Sequence, residues 1–173
     1  MSEPPIQIES LLRKYGKRLE RTVFERSEEE VREHREWTKK IDGGAGVIAK
    51  KSRKFVLVKH TPEAWSRGHR YWSFPGGGVK HGEDFEEAAV REFKEETGLD
   101  VKVTDLIAVY EHVNRSPQGT QSTFYMAIFK GEVVGGGMRP DPSEISEIKL
   151  FDELPEEELL PWWRDHYSLF EGT

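Results

Sequence analysis

Three glutamates, Glu92, Glu95 and Glu96, are spaced to share one side of a helical turn. At about 100° per residue, positions i, i+3 and i+4 are neighbours on a helix surface. Three carboxylates so placed offer a hard divalent cation the oxygen donors it prefers. The apolar residues of the same stretch, Phe85, Ala88, Ala89 and Phe93, form a single stripe, and the spacing puts Glu92 and Glu96 on that stripe with Glu95 on its flank. Turning a carboxylate inward is costly unless a cation or hydrogen bonds compensate. A solvated acidic helix is the plain alternative. Glu86, Glu87 and Lys94 fit it, because they lie away from the stripe; Glu92 and Glu96 do not. Arg91, four residues before Glu95, is placed to pair with it or to orient it.

The helix is preceded by Gly76-Gly77-Gly78. Such a run lets a backbone approach a ligand or turn its carbonyls onto a metal; by itself it also reads as a flexible turn. The net charge of −6 repels phosphates through the overall field, so a polyphosphate substrate would need local cancellation, which a divalent cation supplies. The same charge argues against nucleic acid as a partner. There is no cysteine, which removes disulfides, Cys-ligated zinc and thiol nucleophiles together.

The elements that must hold these residues are legible in outline. Asp84 is a cap for a helix over 84–97, with Glu87 three residues on, and Gly98 is its left-handed terminator. Strands are expected at 45–49, 55–60, 71–74, 101–112, 122–134 and 148–151. Breaks are expected at Gly43-Gly44, Lys50–Lys54, 61–70, Asn114–Gly119 and Gly135–Gly137. A helical pattern over 155–170 carries Leu159, Leu160, Trp162, Trp163 and Tyr167. Ser27 and Glu30 form a capping box for a helix over 27–39. Residues 1–41 therefore read as an N-terminal helical arm that packs on the main domain or on a second subunit, making a homodimer an option, and 42–173 as the domain proper. The order of strands, helix, strands and helix predicts an α/β fold with a mixed sheet and helices on its faces. The aromatic residues supply one modest core. No basic leader followed by an apolar run and no stretch of 18 apolar residues is present, so a cytoplasmic, membrane-free protein is expected.

Together the glycine run and the helix resemble the Nudix box: Gly, five residues, Glu, seven residues, Arg-Glu, an apolar residue, any residue, Glu-Glu, any residue, Gly, apolar. Gly77, Glu83, Arg91, Glu92, Phe93, Glu95, Glu96, Gly98 and Leu99 fill every slot. A chance match is on the order of one in a billion per starting position at average residue usage. The resemblance implies a Nudix-type α/β/α sandwich over about 43–170. It implies a pyrophosphohydrolase that cleaves a nucleoside diphosphate linked to another moiety, by water attack at phosphorus with Mg²⁺, or Mn²⁺, as cofactor. It further implies Gly76, through its carbonyl, with Glu92, Glu95 and Glu96 as metal ligands, Arg91 orienting the glutamates, and Glu83 setting the loop–helix geometry. Glu92 serves as the general base in some members. A later-loop glutamate often joins the site, and Glu144, with Glu147 in reserve, stands in a Glu-Ile-x-Glu segment of that kind.

The substrate beyond its diphosphate is left open among ADP-ribose-like compounds, nucleoside triphosphates and dinucleoside polyphosphates. Arg67, His69, Arg70, Lys80 and Arg115 are candidates for phosphate contacts. Trp65, Tyr71, Trp72 and Phe74 are candidates for stacking on a base, although most such residues serve a core. Of these, Arg70, Trp72, Lys80 and Arg115 are the chosen substrate-binding set, and His81 and His112 are expected to be bystanders. A catalytically silent Nudix module that binds nucleotide is the alternative, disfavoured by intact acidic positions. Isomerase chemistry on a prenyl diphosphate is disfavoured by the lack of cysteine.

Overall fold

Asp84 opens the central helix by accepting hydrogen bonds from the backbone N–H groups of Glu86 and Glu87 through one carboxylate oxygen. Gly98 closes it in the left-handed conformation. The computed structural model describes residues 4–166, so Tyr167 and the rest of the expected C-terminal helix lie outside the described residues. In chain order the elements are α1 (Ile6–Tyr15), β1 (Leu19–Glu25), α2 (Glu28–Thr38), β2 (Gly43–Lys51), β3 (Lys54–His60), β4 (Gly76–Val79), α3 (Phe85–Thr97), β5 (Leu99–Arg115), β6 (Gln121–Gly136), β7 (Ile145–Phe151) and α4 (Pro161–Asp165).

The strands form one mixed sheet in the order β1-β5-β6-β2-β3-β7, with β4 paired to β2 off that path. β1 runs parallel to β5 and β2 parallel to β6, while the other pairs are antiparallel. Alternation along the central strands divides the interior. Ala45, Val47, Ala127 and Phe129 face α1 and α3, where they meet Ile8, Leu11, Phe85, Ala89 and Phe93. Ile48 and Ile128 point the other way and pack with Leu57, Trp72, Phe74, Leu159 and Trp163. The expected mixed α/β sheet with helices on its faces is therefore present, and the single core expected from composition is two clusters separated by the sheet. Among the described residues no helix is long and apolar enough to cross a membrane.

Several elements differ from expectation for tertiary reasons. The N-terminal arm has its helices, but between them β1 adds an edge strand in register from Leu19 beside Val109 to Glu25 beside Arg115. The expected strand at 71–74 reduces to single bridges, Ser73 to Val58 and Trp72 to Leu159. The glycine run, read as a turn, is instead β4, paired with the glycines that open β2. β6 continues through Gly135 because β5 pairs with it as far as Gly136, and β7 begins at Ile145. α2 has the expected reciprocal capping box. Its first turn is also tied to the β5–β6 turn, where Ser116 and Thr120 hydroxyls donate to Glu28. Farther along, His34 Nδ1 lies 2.8 Å from the Ser122 hydroxyl.

At Gly98, φ is 75° and a Cβ would lie 2.5 Å from the Gly137 carbonyl oxygen and 2.8 Å from the Arg139 nitrogen. Gly82 has a similar φ of 76° with open space around it. Left-handed backbone costs a non-glycine residue roughly 1–2 kcal/mol, so Gly82→Ala should lose about that much and Gly98→Ala clearly more. Urea denaturation of the two variants side by side checks this; equal losses would mean that the Gly137–Arg139 backbone yields freely.

Candidate active site

Arg91 sits on the face of α3 that looks toward β4 and the loop before the helix. Its Nε and Nη2 donate to the two carboxylate oxygens of Glu83 at 2.7 and 2.8 Å. Nη2 also donates to the Gly78 carbonyl at 3.0 Å. Nη1 reaches Glu92 Oε1 at 2.6 Å and Glu95 Oε2 at 3.2 Å. The guanidinium beside Glu83 holds that carboxyl down at about 2. A planar fork that keeps its charge suits this task, since it presents five donors in fixed directions.

Glu92 is half-buried, and burial pushes its carboxyl up, helped by the charges of Glu95 and Glu144 and opposed by Arg91. It fits because residue 77 has no side chain: a Cβ there would lie 2.5 Å from the Glu92 carboxyl carbon. Arg91 occupies Oε1, and Oε2 has no hydrogen bond among the described residues. Glu96 is 2% exposed, and burial pushes it up as well. Its Oε1 lies 3.0 Å from His60 Nε2, and its Oε2 accepts from the Gly76 N–H at 3.0 Å. His60 comes from the end of β3 and meets Trp65 edge-on, with ring centroids 5.3 Å apart. Glu95 is half exposed on the flank of α3.

These glutamates line a cavity of about 1070 Å³ together with Gly76, Gly77, Lys80, Glu144, His60, Trp65 and Phe74. Glu144 stands just before β7, with its carbonyl accepting from Thr61 N–H at 2.8 Å. A second part of the lining is aromatic: Trp37 of α2, Phe124 of β6, His112 of β5 and Trp162 of α4, with Met126. The inward carboxylates expected from spacing are thus assembled in one cavity, with Glu144 beside them.

Other expected contacts are elsewhere. Arg70 is exposed and does not line the cavity. Trp72 does not line the cavity but is buried in the cluster of Leu57, Phe74 and Leu159, against Phe151 and beneath the Lys59 ammonium at 4.6 Å, with a bridge to Leu159. Arg115 ends β5 beside Glu25 and Gln121, away from the cavity. Tyr71, Arg67, His69 and Glu147 do not line it either. Glu86, expected on a solvated face, accepts from Lys14 Nζ and Tyr15 Oη of α1, each at 2.7 Å. His81 is a bystander to the cavity, contacting Asp42 at 2.5 Å and the Lys39 carbonyl at 2.9 Å. His112 is among the residues that line the cavity. His60, Trp37 and Phe124 had no local signal in the sequence; sheet register and the packing of α2 bring them in.

Among the described residues, no three His, Asp or Glu side chains already converge as a metal cage. The carboxylates are held instead by Arg91, His60 and Gly76. The donor set nevertheless fits a hard divalent cation: it is all oxygen, and the burial that raises Glu92, with the neighbouring charges of Glu95 and Glu144, is a cost that a cation would offset.

The NUDIX domain family model matches residues 40–171. An ADP-ribose pyrophosphatase of Methanocaldococcus jannaschii is 31% identical over 138 residues, covering 80% of this chain and 76% of that protein. A putative 8-oxo-dGTP diphosphatase of Bacillus subtilis is 33% identical over 107 residues, covering 62% of this chain and 63% of that protein. In fold, the chain is similar to a MutT protein of Bacillus halodurans, with a TM-score of 0.60 at 21% identity, covering 75% of this chain and 82% of that one.

The depressed Glu83 carboxyl links stability to acid. Its folded value lies below its unfolded value of about 4.5, so its contribution is complete above that pH and is lost as pH falls through about 2. The gap in urea midpoint between wild type and Glu83→Gln should therefore narrow in acid. A gap that stays constant from about pH 7 to pH 3 would contradict the pairing.

Proposed function

This chain belongs to the Nudix family, and from that premise we propose that it hydrolyses the diphosphate linkage of a nucleoside diphosphate joined to another moiety. Nudix hydrolases act on nucleotide substrates with divalent metal ions. What carries the reading for this chain is the convergence of Glu92, Glu95, Glu96 and Glu144 on one cavity, with Glu96 buried and Glu92 half-buried. In this reading Glu92, Glu95 and Glu96, with the Gly76 carbonyl, hold Mg²⁺, for which Mn²⁺ can substitute. Bound there, the cation neutralises phosphate oxygens and makes water a better nucleophile near neutral pH.

The chain's own residues do the rest. Arg91 fixes Glu92 by Oε1 and leaves Oε2, which lies against Gly77, without a hydrogen bond among the described residues. His60 and the Gly76 N–H fix both oxygens of Glu96, so its orientation is set before substrate arrives. Glu144 is committed neither to Arg91 nor to His60, and in this reading its carboxylate takes the proton of the attacking water, with Glu92 as the other candidate for that step. Lys80, at the cavity edge, is the cationic side chain available to substrate phosphate oxygens. A silent binding module is disfavoured because every acidic position of the box is intact. A cytoplasmic location, where such nucleotides are found, goes with this reading.

ADP-ribose heads the substrate panel because the archaeal relative bears that name; 8-oxo-dGTP, nucleoside triphosphates and dinucleoside polyphosphates follow. With Mg²⁺ or Mn²⁺, turnover on at least one class is expected. Glu95→Gln and Glu96→Gln should each lower kcat by roughly 100-fold or more while circular dichroism stays unchanged. Wild-type protein inert across the panel with either metal overturns the proposal.

A further inference from the structure

The sheet ends on β1, and among the described residues no strand lies beyond it. An open edge offers a row of backbone donors and acceptors to any chain that can pair with it. The Arg26 N–H donates to the Arg115 carbonyl at 3.0 Å. β1 keeps unbroken register along β5, so backbone groups alternate back from Arg26. Glu20, Thr22 and Phe24 turn theirs to β5, and Arg21, Val23 and Glu25 turn theirs outward. The flanking helices lie over the faces of the sheet: α1 packs on β5 and α3, and α2 on β6 and β5.

Edge strands are commonly guarded by lysine, proline or a bulge. β1 has none of these. At its centre stands Val23, 43% exposed. Its charges are Glu20, Arg21 and Glu25, followed at once by Arg26. That order is its own complement. Set antiparallel to a second copy about Val23, it places Glu20 opposite Arg26, Arg21 opposite Glu25 and Val23 opposite Val23. The outward backbone groups of Arg21, Val23 and Glu25 then meet one another. Glu20 and Arg26 fall at a non-hydrogen-bonded position, where opposed side chains come closest. The adjacent registers that keep the same backbone facing, centred on Thr22 or on Phe24, bring no unlike charges opposite each other. Glu20 and Glu25 make no ion pair among the described residues, and Arg21 lies 3.4 Å from Glu111, so the partner's Glu25 would give that guanidinium a second carboxylate.

We propose that β1 is the interface of a two-fold symmetric homodimer, joined by antiparallel pairing of the two β1 strands about Val23 into one sheet that runs through both subunits. The surface is self-complementary, as a closed two-fold contact requires. The inference stands apart from the hydrolase reading and uses none of its residues.

The test is sedimentation velocity over a concentration series for wild type, Glu20→Arg, Arg26→Glu, the double variant carrying both changes, and Val23→Pro. Wild type should dimerise as concentration rises, and the Arg21, Val23 and Glu25 amides should exchange hydrogen more slowly in step. Each single charge reversal sets like charges opposite each other at both ends of the interface and should weaken the dimer about tenfold. The double variant should recover it. An equimolar mixture of the two single variants should also dimerise like wild type, because every opposed position then carries unlike charges. Val23→Pro removes an outward N–H that bonds nothing within the subunit, in an edge position that accepts proline, and should abolish the dimer. Should Val23→Pro fail to fold, the charge exchange decides. A wild type that stays monomeric throughout the series overturns the proposal. So does a dimer that is indifferent to the single reversals, or one that they weaken and neither the double variant nor the mixture restores.

Discussion

The Arg91 guanidinium ties three parts of the chain together: the loop before α3 through Glu83, strand β4 through the Gly78 carbonyl, and the acidic face of α3 through Glu92 and Glu95. Like charges one helical turn apart repel, and the inward face of α3 carries them in excess. A cation that cannot lose its proton, with donors in one plane, lets that face exist in the folded chain before any metal arrives. The absence of a side chain at residue 77 is the complementary constraint, because it leaves room for the Glu92 carboxylate against β4. Charge and shape are thus settled by one guanidinium and one missing side chain.

Glu96 is treated differently from Glu92. It is deeply buried and has both oxygens occupied, one by the His60 ring and one by a backbone N–H. These partners do for Glu96 what Arg91 does for Glu92, and they come from β3 and β4 rather than from the helix. The sheet therefore has a direct hand in the acidic cluster, through strands that meet α3 from the side.

What was readable in the sequence follows the range of each interaction. α3, its Asp84 cap and its Gly98 end depend on contacts within a few residues, and the carboxylate cluster depends on spacing along one helix, so both were visible. β1 was not, because its exposed positions are mostly charged and its strand character comes from lying along β5. β4 was not, because glycines carry no strand propensity and pair here only by meeting the glycines of β2. Arg70, Trp72 and Arg115 have the residue types or the nearness in sequence that suit a site, but Arg70 lies in an exposed turn, Trp72 is bridged to Leu159 in the core, and Arg115 is at the far end of β5. His60, Trp37, Phe124 and His112 reach the cavity from far along the chain, through register and helix packing, which no local pattern records.

α2 is fastened to the β5–β6 hairpin by Glu28 and His34, whereas the acidic cluster is fastened within α3, β3 and β4. The two walls of one cavity therefore have separate supports. Substitutions in α2 can reshape what the cavity admits without disturbing Arg91 or the glutamates, so heritable change in ligand preference can accumulate in the N-terminal segment while the reaction itself is kept. A lineage carrying this architecture can diversify what it consumes at little risk to how it consumes it.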